Sequence, residues 1–235
     1  MASHNLTEPP RTFFFDLGAS TYDAGGGGPS LRWFIDTYRY VHVSVTDSEP
    51  VFSHFLPFTL QATFSDQKVF RFDLFVSSFL RRESGLQFQR VFAWEAAEVK
   101  PAKIFEGMPN DLMTSISYFN IPVEDTKGKN NPWRYVRDLT RPEDFVVVKI
   151  DIDTPDIEIE LMRQLLMDDD KTNSFEDEDG VRLFELIDEL YFEHHVWGSG
   201  LSPSWAGSGM DGDMVGSYTM FSQLRNLGIR AHSWV

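Results

Sequence analysis

Three runs of apolar residues in this chain each finish at an acidic residue. They are Thr12–Leu17 with Asp16, residues 88–94 with Glu95, and Phe145–Ile150 with Asp151. Short apolar runs bounded by polar residues are typical of buried strands. Helical patterns lie between the runs, and strands that alternate with helices predict an α/β fold with a doubly wound, mostly parallel sheet.

The rest of the chain continues this alternation. Helical patterns cover residues 31–38, 101–105, 181–187 and 214–227, and a further helical pattern begins at Pro155. Strand patterns cover residues 115–123, 190–196 and 229–235. Ser30 and Thr154 are suitable N-caps, and Gly228 is a suitable C-cap. Because the series contains no internal repeat, we expect a single domain over residues 1–235.

The three acids are expected to lie together at one edge of the sheet. Parallel strands end at the same edge, and ligands of doubly wound sheets bind there. An acid after the second strand can accept both hydroxyls of a ribose, and the small residues at positions 18–20 let a ligand approach the backbone. Acids also favour strand exits for structural reasons, so the pattern predicts a site without identifying its ligand.

Composition and charge narrow the classes of partner. The formal net charge is −15, and we find no basic patch that would hold a nucleic acid or an anionic membrane surface. No apolar run reaches membrane-spanning length, and the first residues contain no signal-peptide core. The absence of Cys excludes disulfides and thiolate zinc sites. We therefore expect neither a nucleic acid nor a membrane as partner, and the compartment is undecided, with a cytoplasmic location by default.

Several common motifs for nucleotide binding and ester cleavage are missing. The turn at Gly18 has one glycine where a dinucleotide fingerprint has three, which disfavours nicotinamide and flavin cofactors. The sequence contains neither a P-loop nor a Gly-x-Ser-x-Gly elbow. These absences leave the acids at the strand ends as the main chemical clue.

Five segments, three of which contain these acids, occur in the order of the motifs of a known family. They are "FFFDLGAS", "RVFAWEA", "VVVKIDIDTPDIE", "ELYFEHH" and "LRNLGIRAHSWV". The first three resemble the Asp-hydrophobic-Gly-Ala-Asn turn, the strand with the ribose-binding acid and the Lys-hydrophobic-Asp-hydrophobic-Glu-Gly-x-Glu signature of FkbM-type methyltransferases. The last two resemble that family's fifth strand and C-terminal segment. The resemblance covers most of the chain outside residues 40–82. It implies a Rossmann-like sheet of the class I S-adenosylmethionine-dependent methyltransferase type.

The resemblance also implies a role for each matching residue. Asp16, Gly18, Ala19 and the adjoining Ser20 would line the methionine and sulfonium part of S-adenosylmethionine. Glu95 would bind the ribose of its adenosine.

The resemblance places the catalytic candidates at the end of the fourth strand. Asp151 would lie at the active-site end of this strand, with Lys149 beside it. Methyl transfer needs an acceptor held in line with the methyl group, and a hydroxyl acceptor also needs a base. The candidates for that base are Asp151, His194 and His195.

Some positions depart from the family's pattern. Ser20 stands for Asn, Asp153 and Asp156 stand for Glu, and Thr154 with Pro155 replaces Gly and a small residue. The acids keep their charge, but the loss of Gly can reshape the loop after the fourth strand. We expect these departures to affect turnover more than cofactor binding.

We expect a methyltransferase that acts on a hydroxyl of a small molecule or glycan, and two alternatives stay open. The first is a methyltransferase-like domain that binds a partner without catalysis. The second is a metal-dependent hydrolase that uses Asp151, Asp153 and His194.

We expect no metal in the methyltransferase site, although Asp151, Asp153 and Glu193 form a weaker candidate site for Mg²⁺ or Mn²⁺. His194 and His195 are adjacent on a predicted strand, so they point to opposite faces and cannot easily bind one metal ion.

Residues 40–81 do not fit the rest of the pattern. Eight of the forty residues 41–80 are Phe, and no helical or strand period persists there. Removing the segment joins Arg39 to Arg82 and leaves a continuous helix, loop and strand. We hypothesise that residues 40–81 are a foreign insert, such as a retained intron, and the alternative is a genuine hairpin subdomain or lid.

The start of the chain also differs from the family. Class I methyltransferases usually carry helices before the first strand, whereas the first strand predicted here begins at Thr12. We therefore expect either a truncated sequence or a partner that takes the place of those helices.

Overall fold

The computed structural model describes residues 8–22, 31–39, 86–126, 128–167, 180–197 and 212–234. The chain divides into two compact units, Met1–Trp33 with Phe88–Val235 and Phe34–Gln87. The segment 40–81 lies outside the described residues, so its origin as an insert stays a prediction. No helix in the described ranges is both long enough and apolar enough to cross a membrane.

Six parallel strands form the sheet of the first unit. They are β1 (Thr12–Leu17), β2 (Arg90–Trp94), β3 (Ile116–Phe119), β4 (Phe145–Ile150), β5 (Glu189–Phe192) and β6 (Arg230–Ser233). Their spatial order is β3-β2-β1-β4-β5-β6, and every described strand pair is parallel. This order is typical of Rossmann-like doubly wound sheets, and it reverses direction between β1 and β4. The predicted α/β fold with a parallel sheet is therefore confirmed.

The described helices connect these strands. They are α1 (Leu31–Arg39), α2 (Pro101–Ile104), α3 (Asn110–Met113), α4 (Pro132–Leu139), α5 (Pro155–Leu166) and α6 (Met214–Asn226). The predicted helix at 181–187 is only a 3₁₀ turn at Leu183–Glu185. The predicted strand at 190–196 is shorter and begins one residue earlier, as β5, because the chain leaves the sheet after Phe192.

The sequence analysis did not predict α4. The side chain of Asn131 caps this helix by accepting the backbone N–H of Trp133 at 2.9 Å, and Pro132 occupies its first position. Both residues are helix-start signals. The short helix is held by distant contacts, since the indole N–H of Trp133 donates to the carbonyl of Leu161 at 3.0 Å.

The central strands are buried on both faces, which explains their unbroken apolar sequence. Phe15 stacks on Phe92 with 5.1 Å between ring centroids, on the face that carries the main core. Phe14 points to the opposite face and lies 5.4 Å from Phe88. The aromatic run of β1 therefore supplies both layers of core, and it fixes the position of the turn that follows.

A buried carboxylate fastens the amino ends of β1 and β4. Asp144 accepts the backbone N–H of Arg11 at 2.9 Å, its guanidinium at 2.6 Å, and the backbone N–H of Arg141 at 3.0 Å. Burial raises the pKa of Asp144, but the hydrogen bonds from Arg11 and Arg141 outweigh this effect and hold the pKa below its usual range. The carboxylate therefore stabilises the fold while it is ionised.

We expect Asp144→Ala to lower the free energy of unfolding at pH 7 by about 2 kcal/mol, because several charge-assisted hydrogen bonds are lost. Urea denaturation at a series of pH values measures this difference. The difference should be full above the unfolded-state pKa of about 3.9 and should shrink as the pH falls through the lower folded-state pKa. Asp138, whose ion pair with Arg134 is exposed, is the control, and Asp138→Ala should change stability by less than about 0.5 kcal/mol. Equal effects of the two substitutions would contradict the role of Asp144.

Candidate functional site

The turn after β1 packs against the ends of two neighbouring strands. The N–H groups of Gly18 and Ala19 both donate to the carbonyl of Trp94 in β2, at 3.0 and 2.9 Å. Gly18 has a φ of +89°, and a Cβ atom on it would lie 1.7 Å from the carbonyl oxygen of Asp151, directly after β4. This position therefore needs glycine both for its backbone conformation and for the close approach of β4.

A buried lysine lies under this turn. The Nζ atom of Lys149 lies 3.1 Å from Asp16 Oδ1, 3.0 Å from Asp151 Oδ2 and 3.2 Å from the carbonyl oxygen of Gly18. Burial lowers the pKa of Lys149, but the carboxylates of Asp16 and Asp151 outweigh this effect, so the pKa is raised. The ammonium group therefore stays charged and links the ends of β1 and β4.

Asp16 lies in the core beneath the turn, with 1% of its surface exposed. Burial raises its pKa, and the ammonium group of Lys149 opposes that shift. Among the described residues, no hydrogen-bond donor reaches its second oxygen, Oδ2. Because this oxygen is buried, it carries the cost of an unsatisfied acceptor.

Asp151 and Glu193 are neighbouring carboxyl groups with different protonation. Burial pushes the pKa of Asp151 upward, but hydrogen bonds from Glu193, from Lys149 and from the Trp234 indole at 3.3 Å lower it overall. Burial and the nearby Asp151 raise the pKa of Glu193 to about 9. At neutral pH, Asp151 is therefore the anion, and Glu193 carries a proton and donates it in a hydrogen bond.

Glu95 faces the same turn from the end of β2. Its Oε2 atom accepts the backbone N–H of Ser20 at 3.1 Å, and its Oε1 atom accepts that of Ala97 at 2.7 Å. Ser20 has a φ of +50°, and its carbonyl accepts the hydroxyl of Tyr118. The structure thus brings together all five residues predicted to bind the cofactor: Asp16, Gly18, Ala19, Ser20 and Glu95.

The structure separates the two predicted histidines. His194 Nδ1 lies 3.1 Å from Ser217 Oγ in α6, and the ring stacks on Phe192 with 5.2 Å between centroids. His194 also lines a groove of about 590 Å³ between α5 and α6. The buried His195 instead lies 3.3 Å from Glu193 Oε2. The predicted opposite orientation of the pair holds, and the structure groups His195 rather than His194 with the acids.

A second group of polar side chains lies beside Asp151. One ligand atom from each of Asp153, Glu193 and His195 lies within 4.8 Å of the others. Burial raises the pKa of Asp153 and lowers that of His195, so the imidazole favours its neutral form. The sequence predicted an imidazole and two carboxyl groups as Asp151, Asp153 and His194, whereas the structure groups Glu193 and His195 with Asp153.

Two further residues of the site were missed. Glu158 has the sequence position of an ordinary first-turn acid of α5, but it is buried and accepts the backbone N–H of Ile152 at 2.8 Å. Burial raises its pKa to about 7. Trp234 follows β6, where no local pattern links it to Asp151. Both contacts depend on how distant segments pack.

The fold and the site define an α/β protein with a parallel sheet and a candidate ligand site at the carboxyl edge of β1, β2, β4 and β5. Comparisons with protein-family models, with curated proteins and with solved structures gave no match. The class of the protein therefore stands on its fold, and its activity is a matter for proposal.

We expect Gly18→Ala to destabilise the protein by about 3 kcal/mol, since it adds backbone strain and forces the Asp151 backbone to move. Gly107 is a matched control, because its φ is +76° and no atom lies within 4 Å of a Cβ built on it. Gly107→Ala should cost only the strain, about 1 kcal/mol. Chemical denaturation measures both values. A cost for Gly18→Ala no larger than that for Gly107→Ala would contradict the close approach.

Proposed function

We propose that this chain is an S-adenosylmethionine-dependent methyltransferase that transfers a methyl group to a hydroxyl of a small molecule or glycan. The observation that supports this proposal most directly is the contact between Glu95 and the turn at Gly18–Ser20, where Glu95 Oε2 lies 3.1 Å from the backbone nitrogen of Ser20. It joins an acid after the second strand to a glycine turn after the first. Both residues follow strands at the carboxyl edge of the sheet, and ligands of doubly wound sheets bind beyond that edge.

The residues present fit the chemical groups of this cofactor. Each carboxylate oxygen accepts more than one hydrogen bond, so Glu95 keeps capacity for the two hydroxyls of a ribose. Asp16 lies buried beneath the turn, so it would place negative charge below the ammonium of the methionine part rather than contact it. The turn has small residues at Gly18 and Ala19, which let a ligand approach the backbone. The resemblance of "FFFDLGAS" and "RVFAWEA" to the FkbM-type motifs supports the same assignment.

The reaction makes simple demands on the protein. The bound cofactor would supply a methyl group on a positively charged sulfur. An oxygen–carbon bond forms, the carbon–sulfur bond breaks, and the acceptor hydroxyl loses a proton. Asp151 is the candidate acceptor of that proton, because it is ionised and its side chain is 22% exposed. Its lowered pKa makes it a weak base, so the positively charged sulfur must supply most of the driving force. Lys149 fixes the position of the carboxylate, and positioning supplies much of the rate.

A non-catalytic methyltransferase-like binding domain is the second candidate. The loop after β4 favours it, because Thr154 and Pro155 stand where the FkbM-type signature has Gly and a small residue, and Asp153 before them has a φ of +56°. A changed loop after β4 alters the acceptor side of the site while it leaves Glu95 and the turn at Gly18 unchanged. Cofactor binding without turnover would support this candidate.

Calorimetric titration of S-adenosylmethionine and S-adenosylhomocysteine into the folded chain tests the cofactor site. We expect Glu95→Ala to weaken binding by about tenfold or more, since it removes charge-assisted hydrogen bonds to the ribose. Glu98→Ala removes the same charge from a nearby exposed position, and it should leave the affinity unchanged. Equal affinities of the two variants, or a folded wild type that binds neither ligand, would overturn the proposal.

Turnover separates the two candidates. S-adenosylhomocysteine formation is measured with a panel of sugars and small hydroxylated compounds as acceptors. Formation that depends on the acceptor and is lost in Asp151→Asn supports the methyltransferase. Cofactor binding without product for any acceptor supports the non-catalytic domain.

A further inference from the structure

We propose that Asp153, Glu193 and His195 bind a divalent transition-metal ion at the carboxyl edge of β4 and β5. The metal site goes beyond the proposed methyl transfer, and its test needs no S-adenosylmethionine. Nothing in the proposed reaction requires these three side chains to bind a metal.

The fold explains why the three residues meet. Asp153 belongs to the loop between β4 and α5, and Glu193 and His195 follow β5, the parallel neighbour of β4. The carboxyl ends of these strands share one edge, so the segments that leave them run side by side. Glu193 and His195 are two positions apart directly after β5, and their side chains meet, with His195 Nε2 at 3.3 Å from Glu193 Oε2. His194 points to α6 instead.

The distances suit a single ion. The three ligand atoms lie within 4.8 Å of one another, and His195 Nε2 lies 3.3 Å from Glu193 Oε2. Ligands at about 2.1 Å from a metal lie roughly 3 to 4.2 Å apart, so a small adjustment completes the site. Asp153 is exposed while His195 is buried, which gives an ion a path from solvent to the imidazole.

The buried imidazole distinguishes this group from an ordinary cluster of surface acids. His195 is 2% exposed, and its ring faces the carboxyl groups of Glu193 and Asp153. The ammonium of Lys149 does not belong to this group, because it is bound to Asp16, Asp151 and the Gly18 carbonyl.

The donor set selects the class of ion. One imidazole and two carboxylates suit Mn²⁺, Fe²⁺ or Zn²⁺, whereas Mg²⁺ and Ca²⁺ prefer oxygen ligands alone. Three protein ligands leave coordination positions open to water or to an oxygen atom of a small molecule. Such an ion would act as a Lewis acid toward a bound hydroxyl or carbonyl.

Mn²⁺ titration of the metal-free chain, followed by electron paramagnetic resonance, tests the site. We expect one tightly bound Mn²⁺ per chain that Zn²⁺ displaces and Mg²⁺ does not. Asp153→Asn should weaken Mn²⁺ binding by about tenfold or more, because it removes a charged ligand. Asp156→Asn removes the same charge from an exposed position of α5 and should leave the affinity within about threefold of wild type.

Two further results distinguish specific binding of Mn²⁺ at this site from non-specific attraction of the ion to a negatively charged protein. The spin-echo signal of bound Mn²⁺ should show coupling to a ring nitrogen, and His195→Gln should abolish the coupling in a variant whose circular dichroism confirms folding. If Asp153→Asn and Asp156→Asn weaken Mn²⁺ binding equally, or if no nitrogen coupling is seen in wild type, the ion is adventitious only and the proposal is overturned. S-adenosylmethionine binding is measured separately, so failure of the metal site leaves the proposed function unaffected.

Discussion

The buried ammonium of Lys149 is the interaction on which the arrangement of the candidate site depends. It joins Asp16 at the end of β1 to Asp151 at the end of β4, across the point where the strand order reverses. Taking these charges out of water costs several kcal/mol per ion, so their geometry must be closely maintained. The carbonyl of Gly18 is the third oxygen beside Nζ, and the lysine therefore holds the turn as well as the two acids.

The packing around this turn explains why the neighbouring carboxyl groups of Asp151 and Glu193 differ in protonation. Asp151 receives hydrogen bonds from Lys149, Trp234 and Glu193, and it is the anion of the group. Glu193 is buried beside that anion, and it retains a proton at neutral pH. Two titratable groups whose environments push their pKa values apart are a common arrangement where a protein handles protons. The edge of the sheet therefore offers both an anionic acceptor and a neutral acid within one cluster.

Local patterns predicted the framework of the site. The exits of β1, β2 and β4 with Asp16, Glu95 and Asp151 could be located, because a buried strand and its polar exit are encoded within a few residues. Successive side chains along a strand point to opposite faces, so the sequence also predicted that His194 and His195 point in opposite directions. It did not predict which of the two histidines contacts the acidic residues. Long-range packing decides that choice, as it decides the burial of Glu158, the contact of Trp234 with Asp151 and the anchoring of α4 through Asn131. None of these contacts leaves a periodic signal in the sequence.

Stability alone does not account for this concentration of charge. Replacing a buried ion pair by well-packed apolar residues is often neutral or stabilising, so Lys149 and Asp16 are not required simply to hold β1 against β4. The Oδ2 atom of Asp16 adds a further cost, because no donor among the described residues reaches it. Positive charge brought to this edge by a ligand would offset part of that cost without touching the buried oxygen. The requirement for glycine at position 18 has a separate, structural cause, because the Asp151 carbonyl fills the space that a Cβ atom would take. Packing therefore explains the glycine, whereas the concentration of buried charge is what favours a ligand site at this edge.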